Sequence, residues 1–182
     1  MSIHLITGCM FSGKTSALIN VAKMQKLLEK NVLIINFEGD TRYSSSDKIT
    51  THDKISFDCI PCGKDLFNVV KTYNYETANV ICINEGQFFD NLVKFCLQAC
   101  KEKKDVYVCG LDGDYLKRPF GEILNLIPNC ETMCKLQALC MSCKNGTPAS
   151  FTKKITSSNN LVEFGSTEVY MPVCRYCYSF GV

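Results

Sequence analysis

The sequence has little net charge, no long apolar run and no charged, apolar lead, and each lack excludes a class of protein. A formal charge of +2 over 182 residues leaves no broad basic face for DNA or RNA, so nucleic acid is not an expected partner. No stretch approaches the ~18 continuous apolar residues that a spanning helix needs, and no membrane partner is expected. Met1-Ser2-Ile3-His4 does not read as a secretory leader, which points to the cytoplasm and to thiols that stay reduced. A complete disulfide framework is lacking too, because the cysteine count, thirteen, is odd. The cysteines are therefore expected as small core residues plus a metal site. No internal repeat longer than a motif is found.

What is present suits a single domain, or one domain with a small appendage. Apolar residues make up 46% of the chain, enough for a proper core. Residues 3–7 form a short apolar run ending at Gly8, expected as a buried strand. Residues 14–30 carry Ala17, Leu18, Val21, Ala22, Met24, Leu27 and Leu28 at helical spacing, expected as one buried face. Further strands are expected at 32–37, 80–83 and 106–111, and a helix at 90–103. These strands rarely alternate in polarity, as when helices cover both faces of a parallel sheet. Residues 42–53 are polar and rich in Ser and Thr, and read as a loop. From Glu131 cysteine pairs appear and long apolar runs stop. The division expected is a core over 1–130 and a small β-rich unit held by metal over 131–182.

Gly8-Cys9-Met10-Phe11-Ser12-Gly13-Lys14-Thr15 fits G-x-x-x-x-G-K-[ST] between a strand and a helix. Glycines let successive backbone N–H groups turn toward phosphate oxygens, and the helix adds its positive N-terminal end. Lys14 would reach the β- and γ-phosphates of ATP, and the Thr15 hydroxyl would bind Mg²⁺. An ordinary strand-to-helix turn gives no reason for lysine to follow Gly13.

The run 80–83 leads into Asn84-Glu85-Gly86-Gln87-Phe88-Phe89. Ligands gather at the carboxyl ends of parallel strands, and P-loop enzymes keep an acid at a neighbouring strand end. Glu85 is the only carboxylate at this strand end. It is suited either to hold metal or to deprotonate a hydroxyl. Asp40-Thr41-Arg42 follows the second strand. Asp40 is a further candidate near the nucleotide, and Arg42 would stabilise charge on a transferring phosphoryl group.

Three C-x-x-C pairs occur: Cys59/Cys62, Cys140/Cys143 and Cys174/Cys177. A tetrahedral structural Zn²⁺ site needs two. Spacing does not choose between them, and Cys59-Ile60-Pro61-Cys62-Gly63 has knuckle-like turn residues. Position favours the later pairs, which bracket a segment with little core of its own. A redox role for a single pair is disfavoured, since none is expected to open a helix after a strand.

Taken together, these residues resemble the cytosolic-type (type II) thymidine kinases, and in length most of all the poxvirus-type viral members. The resemblance rests on residues 8–15, on Asp40-Thr41-Arg42-Tyr43-Ser44-Ser45 with Thr51-His52-Asp53, and on Glu85-Gly86-Gln87-Phe88-Phe89. It continues through Leu111-Asp112-Gly113, Pro119-Phe120-Gly121 and Ile123-Leu124-Asn125-Leu126-Ile127-Pro128, to the late cysteine pairs. It implies a RecA-like α/β core with a zinc-binding lasso and a homotetrameric assembly. It also implies transfer of the γ-phosphoryl group of ATP to the 5′-hydroxyl of thymidine, with deoxyuridine as an alternative acceptor. Glu85 matches the catalytic base, with Lys14 and Arg42 beside it. The matching nucleoside positions are Leu111, Tyr115, Thr152, Leu161, Val162, Glu163, Phe164, Gly165 and Tyr170. Asn84 stands where the family usually has Asp, Tyr115 where Phe is usual, and Cys9 where Pro is frequent. Asp114 is charged where a small polar residue is common. Two other readings compete: a P-loop switch or motor ATPase, and a zinc-ribbon nucleic-acid module, against which the low charge argues.

Overall fold

The computed structural model describes residues 1–39, 48–50, 56–156 and 168–181. The polar run 42–53 contributes only three of these, 48–50. Asp40, Arg42, Leu161, Val162, Glu163, Phe164 and Gly165 lie outside the described residues.

The chain opens β1 (Ser2–Gly8), α1 (Lys14–Leu27) and β2 (Val32–Phe37), followed by β3 (Lys48–Thr50), β4 (Ser56–Asp58) and β5 (Ile60–Cys62). It continues α2 (Tyr73–Thr77), β6 (Val80–Ile83), α3 (Leu92–Lys101), β7 (Asp105–Gly110) and β8 (Thr132–Leu136). It closes with β9 (Ala138–Leu139), β10 (Pro148–Ala149), β11 (Phe151–Lys154), β12 (Tyr170–Val173) and α4 (Arg175–Phe180). Six strands form one sheet in the order β5-β2-β6-β7-β1-β8, every pair parallel.

Strand alternation divides the core in two. Ile3, Leu5, Leu33, Ile35, Ile81, Ile83, Val106 and Val108 face α3 and pack with Leu92, Phe95 and Ile123. Ile34, Val80, Cys82 and Cys109 face α1 and pack with Leu18, Ile19 and Ala22. Both faces are covered, so the strands carry nearly unbroken apolar runs.

Helix α1 differs from expectation in its last turn. Glu29 takes a left-handed φ of 58°, which ends the helix before Lys30. Met24, Leu27 and Leu28 are 65, 82 and 67% exposed, so the apolar series does not form one buried face. The helix buries Lys14, Leu18, Ile19 and Ala22 instead. The polar run 42–53 is not all loop, because Lys48–Thr50 pairs antiparallel with β4. Composition changes at Glu131, yet β8 pairs with β1 as the sixth strand of the main sheet. The segment from β9 onward, which carries the late cysteine pairs, pairs outside the main sheet as a small unit. That unit buries Cys140, Ala149, Val173, Cys174 and Cys177, a cluster too small to fold on apolar burial alone.

Candidate active site

The site is built where β1, β6 and β7 end. Gly8 has φ 148°, and a Cβ there would stand 2.4 Å from the Leu136 carbonyl oxygen. Gly13 has φ 81°, with no described atom within 4 Å of where a Cβ would point. It is the N-cap of α1, with no side-chain cap and no acid in the first turn. The first amides of α1 therefore face an open cradle suited to an anion, and a triphosphate fits it. The Ser12 hydroxyl donates to the Cys9 carbonyl at 2.9 Å, and the Lys14 ammonium donates to the same oxygen at 2.7 Å. Burial lowers the pKa of Lys14, opposed by the nearby charge of Glu85. A buried ammonium with so few partners is primed for an incoming anion.

Glu85 does not sit on the strand beside β1, as a neighbouring strand end would require. Strand β7 lies between β1 and β6, and the connection across it is made by Asn84. The Thr15 hydroxyl donates to Asn84 Oδ1 at 3.2 Å, and the Cys109 thiol donates to the same oxygen at 3.0 Å. The Asn84 amide donates to Asn36 Oδ1 at 2.8 Å, with both residues buried. Burial pushes the Cys109 thiol pKa up, so it stays a neutral donor here. Thr15 and Asn84 offer neutral oxygens to a Mg²⁺ ion, a weaker set than a carboxylate would give.

Glu85 holds a left-handed φ of 55° as it turns off the strand. Gln87 Nε2 donates to Glu85 Oε2 at 2.6 Å, and Gln87 Oε1 accepts from the Leu111 amide at 2.9 Å. Buried Gln87 thus fixes the carboxylate to the end of β7.

Two cavities flank the phosphate loop. One, of about 460 Å³, opens between Phe11, Ser12, Gly13 and Gln137, Ala138 and Leu139. The other, of about 190 Å³, lies among Cys9, Asp112, Asp114, Lys117, Phe151 and Thr152. A larger hollow of about 540 Å³ near Lys26, Asn31 and Tyr73 lies by the start of β2, away from the phosphate loop. Thr152 lines the second cavity, and its hydroxyl accepts from the Met10 amide at 3.0 Å. Leu111 and Tyr115 flank the stretch Asp112–Asp114 that walls it. Tyr170 is buried on β12 opposite Lys154 and is not among the described lining residues. Phe88 stacks on Phe37 at 4.8 Å and meets Phe120 edge-on at 5.4 Å, an aromatic group beside Glu85.

The four sulfurs of Cys140, Cys143, Cys174 and Cys177 lie within 4.8 Å of one another. That donor set fits Zn²⁺. Cys59 and Cys62 pack into opposite faces of the sheet and are no competitor. Contrary to expectation, one C-x-x-C pair does open a helix after a strand: Cys174 follows β12 and caps α4, its side chain accepting from the Cys177 amide. The partner pair across from it turns the motif into a four-thiol cluster. Although burial opposes it, backbone N–H groups of Cys143, Cys174 and Ser142 hold the Cys140 thiol down at about 6.

A profile of the thymidine kinase family matches residues 1–178. The chain belongs to the thymidine kinase family. The kinase is 41% identical over 176 residues to the thymidine kinase of Yaba monkey tumor virus, covering 97% of this chain and 93% of that one. It is 40% identical to that of Choristoneura fumiferana entomopoxvirus, covering 98% and 97%. It is 38% identical to that of vaccinia virus strain Ankara, covering 97% and 96%. These relatives are viral, and this α/β kinase matches nearly their whole length. Among its described residues no helix is long and apolar enough to cross a membrane.

Four residues of the site escaped sequence reasoning. Asn36 and Cys109 lie inside strands, each one position before the end; Asn36 drew no role and Cys109 read as core. Gln87 sits in a quoted motif without a role, and Asp112 differs from any solvated loop acid only through its place in the fold.

Proposed function

We propose that the kinase transfers the γ-phosphoryl group of ATP to the 5′-hydroxyl of thymidine, giving ADP and thymidine monophosphate. The observation that carries this reading is the phosphate loop standing between two cavities, with a carboxylate beside it. The cavity at Gly13 takes the nucleotide and the cavity at Cys9 takes the nucleoside. Leu111, Tyr115 and Thr152 hold the nucleoside, and Leu161, Val162, Glu163, Phe164, Gly165 and Tyr170 are assigned to it from the sequence. The small cysteine-held unit within 131–182 closes on the base.

In the reaction, Glu85 accepts the proton of the 5′-hydroxyl as that oxygen attacks the γ-phosphorus and the bond to the β-phosphate breaks. Gln87 orients the carboxylate, leaving the proton a defined destination. Lys14 neutralises negative charge on the transferring group, and Arg42 is assigned the same task from the sequence. Mg²⁺, when bound, screens the phosphate oxygens; Thr15, Asn84 and, from the sequence, Asp40 are the groups to hold it. Because Lys14 is buried, its attraction for the phosphates is little screened by water.

The direct test is ADP formation from ATP and Mg²⁺ with and without nucleoside. Thymidine or deoxyuridine should raise it many-fold. Steady hydrolysis indifferent to nucleoside would instead make the protein a switch or motor ATPase.

We also infer a homotetramer acting in the cytoplasm, of the host if the source is viral. The exposed Met24, Leu27 and Leu28 support self-association.

A further inference from the structure

The strip joining the cysteine cluster to the Cys9 cavity consists of one short helix and one loop. The loop is closed on itself. Gly113 bridges Pro119, and buried Asp114 accepts from the Leu116 and Arg118 amides at 2.8 and 2.9 Å. Its other oxygen accepts from the Arg118 guanidinium at 2.8 Å. These bonds make the loop a rigid unit, so whatever holds one point of it positions the whole cavity wall. The point held is Tyr115. The Tyr178 hydroxyl donates to the Tyr115 carbonyl oxygen at 2.7 Å. The Lys117 ammonium lies over the Tyr178 ring at 4.2 Å, and that ring meets Phe151 at 5.7 Å. Asp114, Lys117 and Phe151 all line the cavity.

Tyr178 directly follows Cys177, and its amide donates to the Cys174 carbonyl at 2.9 Å. The helix that presents it is capped by one metal-ligand cysteine and contains the next. Arg175 of the same helix stacks on Phe151 at 4.8 Å.

We propose that Tyr178 is a positioning residue that couples the four-cysteine cluster to the nucleoside cavity, so that zinc and nucleoside each strengthen the binding of the other. The proposal rests on the assignment of the Cys9 cavity to the nucleoside. Zinc fixes the direction of α4, α4 fixes Tyr178, and Tyr178 holds the loop in its binding shape. Linkage makes the effect reciprocal: nucleoside held against the loop must raise the affinity for zinc by the same factor, and tighter zinc is read here as slower release.

The test uses the full chain loaded with zinc. Zinc release to a chromogenic chelator is followed with and without thymidine, and thymidine affinity is measured by calorimetry. In the wild type, thymidine should slow release several-fold. Tyr178→Phe keeps the ring and removes one hydrogen bond. It should weaken thymidine affinity about three- to tenfold, the span of a single neutral hydrogen bond, and abolish most of the protection. KM for ATP should not move. Tyr176→Phe, on the exposed side of the same helix, should leave every value unchanged. If Tyr178→Phe keeps wild-type affinity and protection, the coupling is wrong while the cavity assignment stands. An equal rise in KM for ATP would reduce Tyr178 to a structural role and overturn the proposal too. If thymidine does not bind the wild type, the cavity assignment falls and the coupling falls with it.

Discussion

At the scale of single residues, the site depends on neutral groups where charge is customary. Asn84 sends its oxygen to Thr15 and Cys109 and its amide to Asn36, so every polar atom of its side chain is engaged. Asn84→Asp should lower the Mg²⁺ concentration at half-maximal rate, because a carboxylate is a stronger ligand for a hard cation. It should also destabilise the fold by about 1–3 kcal/mol, since the new oxygen removes the donor to buried Asn36. Magnesium titration of the rate and thermal unfolding check the two halves, and an unchanged Mg²⁺ dependence sinks the first. Gln87 is argued through Glu85. Gln87→Ala frees the carboxylate to swing, and turnover should drop by about 10- to 100-fold with thymidine affinity retained. A pH–rate profile should show the acidic limb displaced; a purely structural role would leave that limb in place.

At the scale of elements, contiguity decides what a sequence discloses. The phosphate loop, β2, β6 and the core of α3 were legible, because each is set by a run of neighbouring residues. The place of β7 between β1 and β6 was not, since pairing order is fixed by packing of the whole sheet. Asn36 and Asn84 are 48 positions apart, and Gln87 and Leu111 are 24 apart, so no local pattern announces either bond. The last turn of α1 misled for the opposite reason. Met24, Leu27 and Leu28 have core-like spacing among themselves, but at about 100° per residue they fall on the side of the helix away from buried Leu18, Ile19 and Ala22. Replacing Leu27 and Leu28 by lysine should leave unfolding stability within ~0.5 kcal/mol, as for exposed positions, while shifting sedimentation toward smaller species. An unchanged sedimentation profile would remove this helix end from the assembly surface.

At the scale of the whole molecule, a parallel sheet supplies the loop and the carboxylate, and in the proposed account a zinc-held unit closes the nucleoside side. The second unit's core cluster has three cysteines among its five buried residues, so its folding depends on what the thiols bind. Cys140→Ser should lose the zinc and lower the melting temperature, whereas Cys62→Ser should keep one zinc per chain by elemental analysis. Zinc retained in the first variant and lost in the second would return the site to the early pair. The central claim is that Glu85 takes the proton of a nucleoside hydroxyl while the phosphate loop holds the donor. Its most direct measurement is single-turnover transfer of γ-labelled phosphate from ATP, comparing wild type with Glu85→Gln at saturating thymidine. The account predicts label in thymidine monophosphate for both, about 10²- to 10⁴-fold slower in the variant, with thymidine affinity preserved. Equal transfer rates, or label appearing as inorganic phosphate whether or not thymidine is present, would contradict it.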